Sequence, residues 1–167
     1  MTREIKTVYV KILIAIDDSE GALAAVDYVA RTFGRTPDVH VTLLHVLPTL
    51  PAAFWDDGHI LNEEERENRQ RQIQIWKDKQ AKNWQNVFKD AQKRLEAGGV
   101  SPKGIKAEFL PMEFNVADDI LNFGEAGSYG TIVVGRRGLS GAKKILLGSV
   151  SSKIAHYAQH CAVTIVE

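Results

Sequence analysis

Gly135, Gly138 and Gly141 fall within seven residues in the run GRRGLSGAKKILLGSVSS, which ends on Gly148, Ser149, Val150 and two further serines. Residues without a Cβ let a backbone come close to an anion and accept positive φ. Successive amide N–H groups in such a turn can ring phosphate oxygens. Gly148 and Ser149 stand where a helix is expected to begin, and free N–H groups and the macrodipole favour negative charge there. The hydroxyls of Ser149 and Ser151 would add donors, and Arg136, Arg137, Lys143 and Lys144 would bring positive charge to the rim. The chemistry predicted is phosphate binding; the plainer alternative is a surface loop joining a strand to a helix.

Asp17 is the second residue with chemical potential. It ends the first apolar run, Val8 to Ile16, and would lie across a crevice from the glycines. A carboxylate beside bare phosphates repels them. Asp17 would therefore accept from ribose hydroxyls or hold a magnesium ion against the phosphates, unless it only caps the helix that follows. Two familiar nucleotide signatures are absent: no G-x-x-x-x-G-K-[ST] occurs, and no G-x-G-x-x-G follows the first strand.

Other candidates read as structural. The five histidines form no metal-spaced cluster. His45 lies in a strand pattern and is expected to pack in the core. His156 and His160, spaced i, i+4 on the last helix, lack acidic partners and read as a solvated helix end. Cys161 is the single cysteine, so no internal disulfide can form; it reads as a small buried or edge residue. Trp76 and Trp84 lie on the apolar stripe of a long helix as core or interface anchors. Trp55, in the loop that contains Pro48 and Pro51, would be buried by a partner chain or close over a ligand.

The elements that must position these residues alternate. Val8 to Ile16, Val39 to Leu47, Ile105 to Leu110, Thr131 to Val134 and Ala162 to Val166 read as strands, the first buried on both faces as in parallel sheets. Ser19 would cap a helix with Leu23, Val26, Ala30 and Phe33 on one face, ended by Gly34 in a left-handed conformation. Asn62 and Glu65 form a capping pair for a long helix running to Gly98-Gly99, whose first part, Glu63 to Gln72, would stand off the core or fray. Asn115 would cap a third helix closed near Gly127, and a fourth would run from about Ser149 to Gln159. Strictly alternating strands and helices imply a five-stranded parallel sheet covered on both faces. In such a sheet, ligands sit beyond the carboxyl ends of the strands where crossovers diverge. Asp17 and Gly135 are both placed there.

The spacing G-x2-G-x9-G-[S/T], met by Gly135, Gly138 and Gly148-Ser149, resembles the universal stress protein family. So do ILIAIDDSEGA at the first strand, VTLLHVL at the second and the closing CAVTIVE, with Pro48 to about Gln80 the least matched part. The resemblance implies a Rossmann-like sheet ordered 3-2-1-4-5 and binding of ATP or AMP, with Mg2+ brought by the nucleotide. By position, Asp17 would contact ribose or metal, and Ala15 and Val46 would lie near adenine. Val134, Gly135, Arg137, Gly138, Gly148, Ser149, Val150 and Ser151 would line ribose and phosphates. The resemblance also implies a homodimer through Ala162 to Val166. Arg137 departs from the histidine of many members, and the 48–98 loop and helix segment is long for the family.

Composition sets the remaining bounds. At 167 residues the chain suits one domain, with 44% hydrophobic and 25% charged residues. Lys plus Arg and Asp plus Glu both total 21, so net charge gives no pull toward nucleic acid or anionic membrane. No run approaches the ~20 apolar residues of a membrane helix, and no signal-peptide core opens the chain; a cytoplasmic protein is expected. Since positioning groups are visible and no residue that would activate a nucleophile is, the chain reads as a nucleotide-responsive binding module. A slow ATPase or nucleotidyl-transfer enzyme and a nucleotide-independent dimer or chaperone-like protein are the alternatives.

Overall fold

The computed structural model describes residues 10–49, 61–136 and 147–167. In chain order the elements are β1 (Val10–Ala15), α1 (Glu20–Phe33), β2 (Val39–Leu47), α2 (Glu63–Ala97), β3 (Ile105–Pro111), α3 (Val116–Ala126), β4 (Thr131–Gly135), α4 (Ser149–Tyr157) and β5 (Ala162–Val166). All strand pairs are parallel, in the order β3-β2-β1-β4-β5. Ile12 sits level with Val41 on one side and Thr131 on the other. β1 is thus central, and the order reverses between it and β4.

The inner strands β1, β2 and β4 are buried at successive positions because each face of the sheet has its own core, whereas the edge strand β3 alternates Lys106 and Glu108 with apolar residues. Ile12, Ile14, Val41, Leu43 and Val133 pack with Val26 and Val29 of α1 and Phe88, Ala91 and Leu95 of α2. The alternate residues Leu13, Leu44, Val46, Ile132 and Val134 pack with Ala117 and Ile120 of α3 and Ile154 of α4. With a side-chain period of two, a strand serving two buried faces cannot alternate polar and apolar.

Helix starts follow the capping residues closely. Ser19 accepts from the Ala22 amide at 3.1 Å, and Asn62 and Glu65 form a reciprocal capping box. That box starts α2 at Glu63 as one continuous helix. Its first part, Glu63 to Gln72, is helical and stands off the core, since no α2 residue before Phe88 is buried.

Three local expectations are corrected. Gly34 ends α1 in ordinary right-handed backbone, with φ −57°. It is small because a Cβ there would come within 2.0 Å of the Gly98 carbonyl oxygen, where the ends of α1 and α2 meet. The buried face of α1 is Ala22, Ala25, Val26, Val29 and Ala30, with Leu23 half-buried beside it. The last helix stops at Tyr157, so His160, with φ +60°, lies beyond it and does not share a helical face with His156. Trp55 and most of the expected loop after β2 lie outside the described residues.

Candidate functional site

The two chain ends that matter meet at the reversal of strand order. β1 ends at Ala15, and the Ile16 amide extends it by donating to the Leu44 carbonyl at 2.8 Å. The chain then turns through Asp17 into α1. The Ser19 hydroxyl that caps α1 donates to a carboxylate oxygen of Asp17. One serine therefore begins the helix and holds the half-buried acid in place. Asp17 does not itself cap α1.

Across the crevice, β4 ends at Gly135 against the first turn of α1. A Cβ on Gly135 would lie 2.5 Å from the Gly21 carbonyl carbon and 2.7 Å from its oxygen. Glycine is required there by the neighbouring helix, a reason beyond the phosphate approach expected from sequence. Arg136 then donates its amide to the Val166 carbonyl at 2.6 Å, and its guanidinium pairs with Glu167.

Arg137 and Gly138 lie outside the described residues, as do Gly141, Lys143 and Lys144. Where the chain returns, the Gly148 amide donates to the Arg136 carbonyl at 2.9 Å. The Ser151 hydroxyl lies 2.9 Å from the same oxygen and 3.1 Å from the Gly148 carbonyl. Its one proton therefore serves the base of the excursion. Ser151 is a buried staple, not the free donor expected.

Gly148 is the N-cap of α4 and has no side chain with which to cap it. The first helical bond runs from the Ser152 amide to the Gly148 carbonyl at 2.9 Å. The amides of Ser149, Val150 and Ser151 thus have no acceptor within the helix. Gly148 has φ −67° and ψ 160°, angles open to any L-residue. The exposed Ser149 keeps its hydroxyl available at the rim.

These pieces line one cleft of about 310 Å3, within the range of small-molecule sites. Of the residues expected from sequence, Ala15, Asp17, Val46, Val134, Gly135, Gly148, Ser149, Val150 and Ser151 all border it. Ile16, Ser19, Ala22, Leu44, His45, Val116 and Ile120 border it as well and were not expected. Val116 carried a legible signal: an apolar residue directly after the Asn115 cap, 36% exposed on the first turn of α3. Leu44, Ile120 and Ala22 look like any other core residue in sequence.

His45 packs as expected and also borders the cleft. It is 7% exposed, its Nδ1–H donates to the Ile16 carbonyl at 2.8 Å, and its ring lies 3.6 Å from that of Trp84. Burial lowers its pKa from 6.5, opposed by the Ile16 bond and by the charge of Asp17. Among the described residues no three His, Cys, Asp or Glu side chains gather as a metal site. A divalent cation here would find Asp17 and otherwise ligands brought by a nucleotide.

Chemically, the cleft joins apolar walls to the start of a helix whose first three amides have no acceptor within it, and to one carboxylate held by a hydroxyl. Residues 9–167 match the universal stress protein family. The chain is 28% identical over 163 residues to universal stress protein YxiE of Bacillus subtilis (strain 168), covering 93% of this chain and 97% of that one. The universal stress protein of Archaeoglobus fulgidus solved in complex with dAMP shares the fold with a TM-score of 0.60 at 20% identity, covering 96% and 99% of the two chains. A universal stress protein solved in complex with cAMP does so with a TM-score of 0.60 at 19% identity, covering 96% and 98%. With the strand order 3-2-1-4-5 and a match running from residue 9 to the last residue, this chain belongs to the universal stress protein family.

Proposed function

We propose that this protein binds an adenine nucleotide, ATP or AMP, in the cleft between β1 and β4 and acts as a nucleotide-responsive binding module. The observation that carries this is the uncapped start of α4. Three amide donors have no partner in their helix, and their residues border a cleft that Asp17 also borders. An anion there meets both the open donors and the positive end of the helix dipole. The dAMP and cAMP complexes of related proteins support adenine as the base.

In this reading Ala15 and the Val46 backbone flank adenine, and Asp17 accepts from the ribose hydroxyls. Val134 and Gly135 border the ribose, while Gly148, Ser149, Val150 and the Ser151 amide take the phosphates. Arg137 and Gly138 complete the phosphate loop. Mg2+, where present, is carried by the phosphates with Asp17 as its protein partner. The whole chain acts as one domain, and two copies associate through β5. No helix among the described residues is long and apolar enough to cross a membrane.

Isothermal titration with ATP, AMP and cyclic AMP tests the reading. Saturable heat with at least one of them, matched by a rise in thermal midpoint, is expected. No heat and no thermal shift with any of the three would remove it.

A further inference from the structure

We infer that His45 is a positioning residue for Asp17, its Nδ1–H holding the Ile16 carbonyl and so fixing the peptide from which the Asp17 carboxylate projects into the cleft. The inference rests on the nucleotide reading of the site.

The geometry isolates this one bond. The ladder of β1 with β4 ends at Ile14 and that with β2 at Ala15, so the Ile16 carbonyl lies past both. Its partner is a side chain 29 residues away, at 2.8 Å and buried. A carbonyl oxygen accepts only, so Nδ1 carries the proton and donates. The peptide that bears this oxygen is planar and also bears the Asp17 amide; turning one end turns the other. Asp17 is therefore held at its peptide by His45 and at its carboxylate by Ser19.

The imidazole is in turn fixed. Trp84 of α2 lies against it with 3.6 Å between ring centroids and 34° between planes, and Phe109 of β3 meets it edge-on at 6.4 Å. A histidine placed only to fill the core would be served as well by a phenylalanine, which could keep both ring contacts. What phenylalanine lacks is the donor. Burial pushes the ring's pKa down and so favours the neutral form, which fits a group that offers one proton to one oxygen.

A double-mutant cycle on the full-length protein reads this out, with ATP dissociation constants from titration calorimetry for wild type, His45→Phe, Asp17→Ala and the double variant. His45→Phe should weaken ATP about tenfold, the scale of one hydrogen bond. In the Asp17→Ala background the same change should cost less than roughly twofold, because the group it positions is already gone. His45→Asn places an amide N–H close to the position of Nδ1 and should recover most of the loss. His45→Gln places its amide nearer to Nε2 and should not. The Asn and Gln pair, alike in polarity and size, decides the matter should the phenylalanine variant fail to fold. Wild-type affinity in His45→Phe, an equal loss in both backgrounds, or equal behaviour of Asn and Gln overturns the positioning role. A wild-type protein that binds none of ATP, AMP and cyclic AMP overturns the reading of the site itself, and this role with it; where AMP is the nucleotide bound, the same cycle is read with AMP.

Discussion

Gly135 and Gly148 belong to one glycine pattern, yet the structure asks different things of them. A methyl group on Gly135 meets the Gly21 backbone at 2.5 Å, and backbone does not yield as a flexible side chain does. Gly135→Ala should destabilise the protein by about 1–3 kcal/mol, the usual cost of overpacking, read as a lower midpoint in urea. Gly148 has backbone angles that valine can adopt, and as N-cap it bonds through its main chain alone. Gly148→Val should cost about 1 kcal/mol or less while abolishing ATP binding, because its branched methyls occupy the approach to the α4 amides. His45 adds a pH dependence. Its pKa is lowered in the fold, chiefly by burial, so between the folded value and 6.5 the unfolded chain binds the proton that the folded one refuses. Its contribution to stability is full above pH 6.5 and is lost as pH falls toward the folded pKa. His45→Phe should flatten that part of a stability profile measured by denaturant titration. At this scale the sequence was informative about residue types and poor on their tasks. Gly135 and Gly148 of the glycine spacing border the cleft, but nothing in the spacing separates a glycine pressed by a helix from one facing a ligand. Ser151 offered a hydroxyl in sequence, and only the fold shows the Arg136 carbonyl waiting for it.

Among the elements, α2 is the most uneven. Its 35 residues span about 52 Å at 1.5 Å per residue, and its buried residues are Phe88, Ala91 and Leu95, all in the last third. Phe88, 6% exposed, also packs against Phe109 with ring centroids 4.7 Å apart. Phe88→Ala should cost about 3–5 kcal/mol. Ile75, an equally apolar residue but 54% exposed, should change stability by under about 0.5 kcal/mol when replaced by alanine. Chemical denaturation of the two variants checks the contrast. The capping box at Asn62 made the start of this helix readable, and β2 and β5 match their apolar runs end for end. What sequence could not fix is which part of a long stripe finds a sheet beneath it. Trp76 and Phe88 fit the same helical spacing, but only Phe88 is buried.

At the scale of the whole molecule, the alternation of strands and helices specified the layers, and family resemblance supplied the strand order β3-β2-β1-β4-β5. β5 pairs with β4 on one side. The Ala162 amide and the Val166 carbonyl both bond toward β4, so in a parallel strand the amides of Val163 and Ile165 point to the outer edge. No strand among the described residues pairs with that edge, and it is where a second copy would add. Light scattering should give a dimer for the wild type and a monomer for Val163→Pro, which removes an outward donor; a wild-type monomer at every concentration would end the dimer proposal. The cleft at the β1–β4 reversal is the other consequence of topology, and everything proposed for it depends on open amides meeting a phosphate. The most direct measurement is the amide shifts of Ser149, Val150 and Ser151 by 1H–15N NMR, titrated with AMP and, separately, with adenosine. The account predicts large, saturable shifts of these three with AMP and little change with adenosine. Equal responses to both ligands, or none at these amides with AMP, would contradict it.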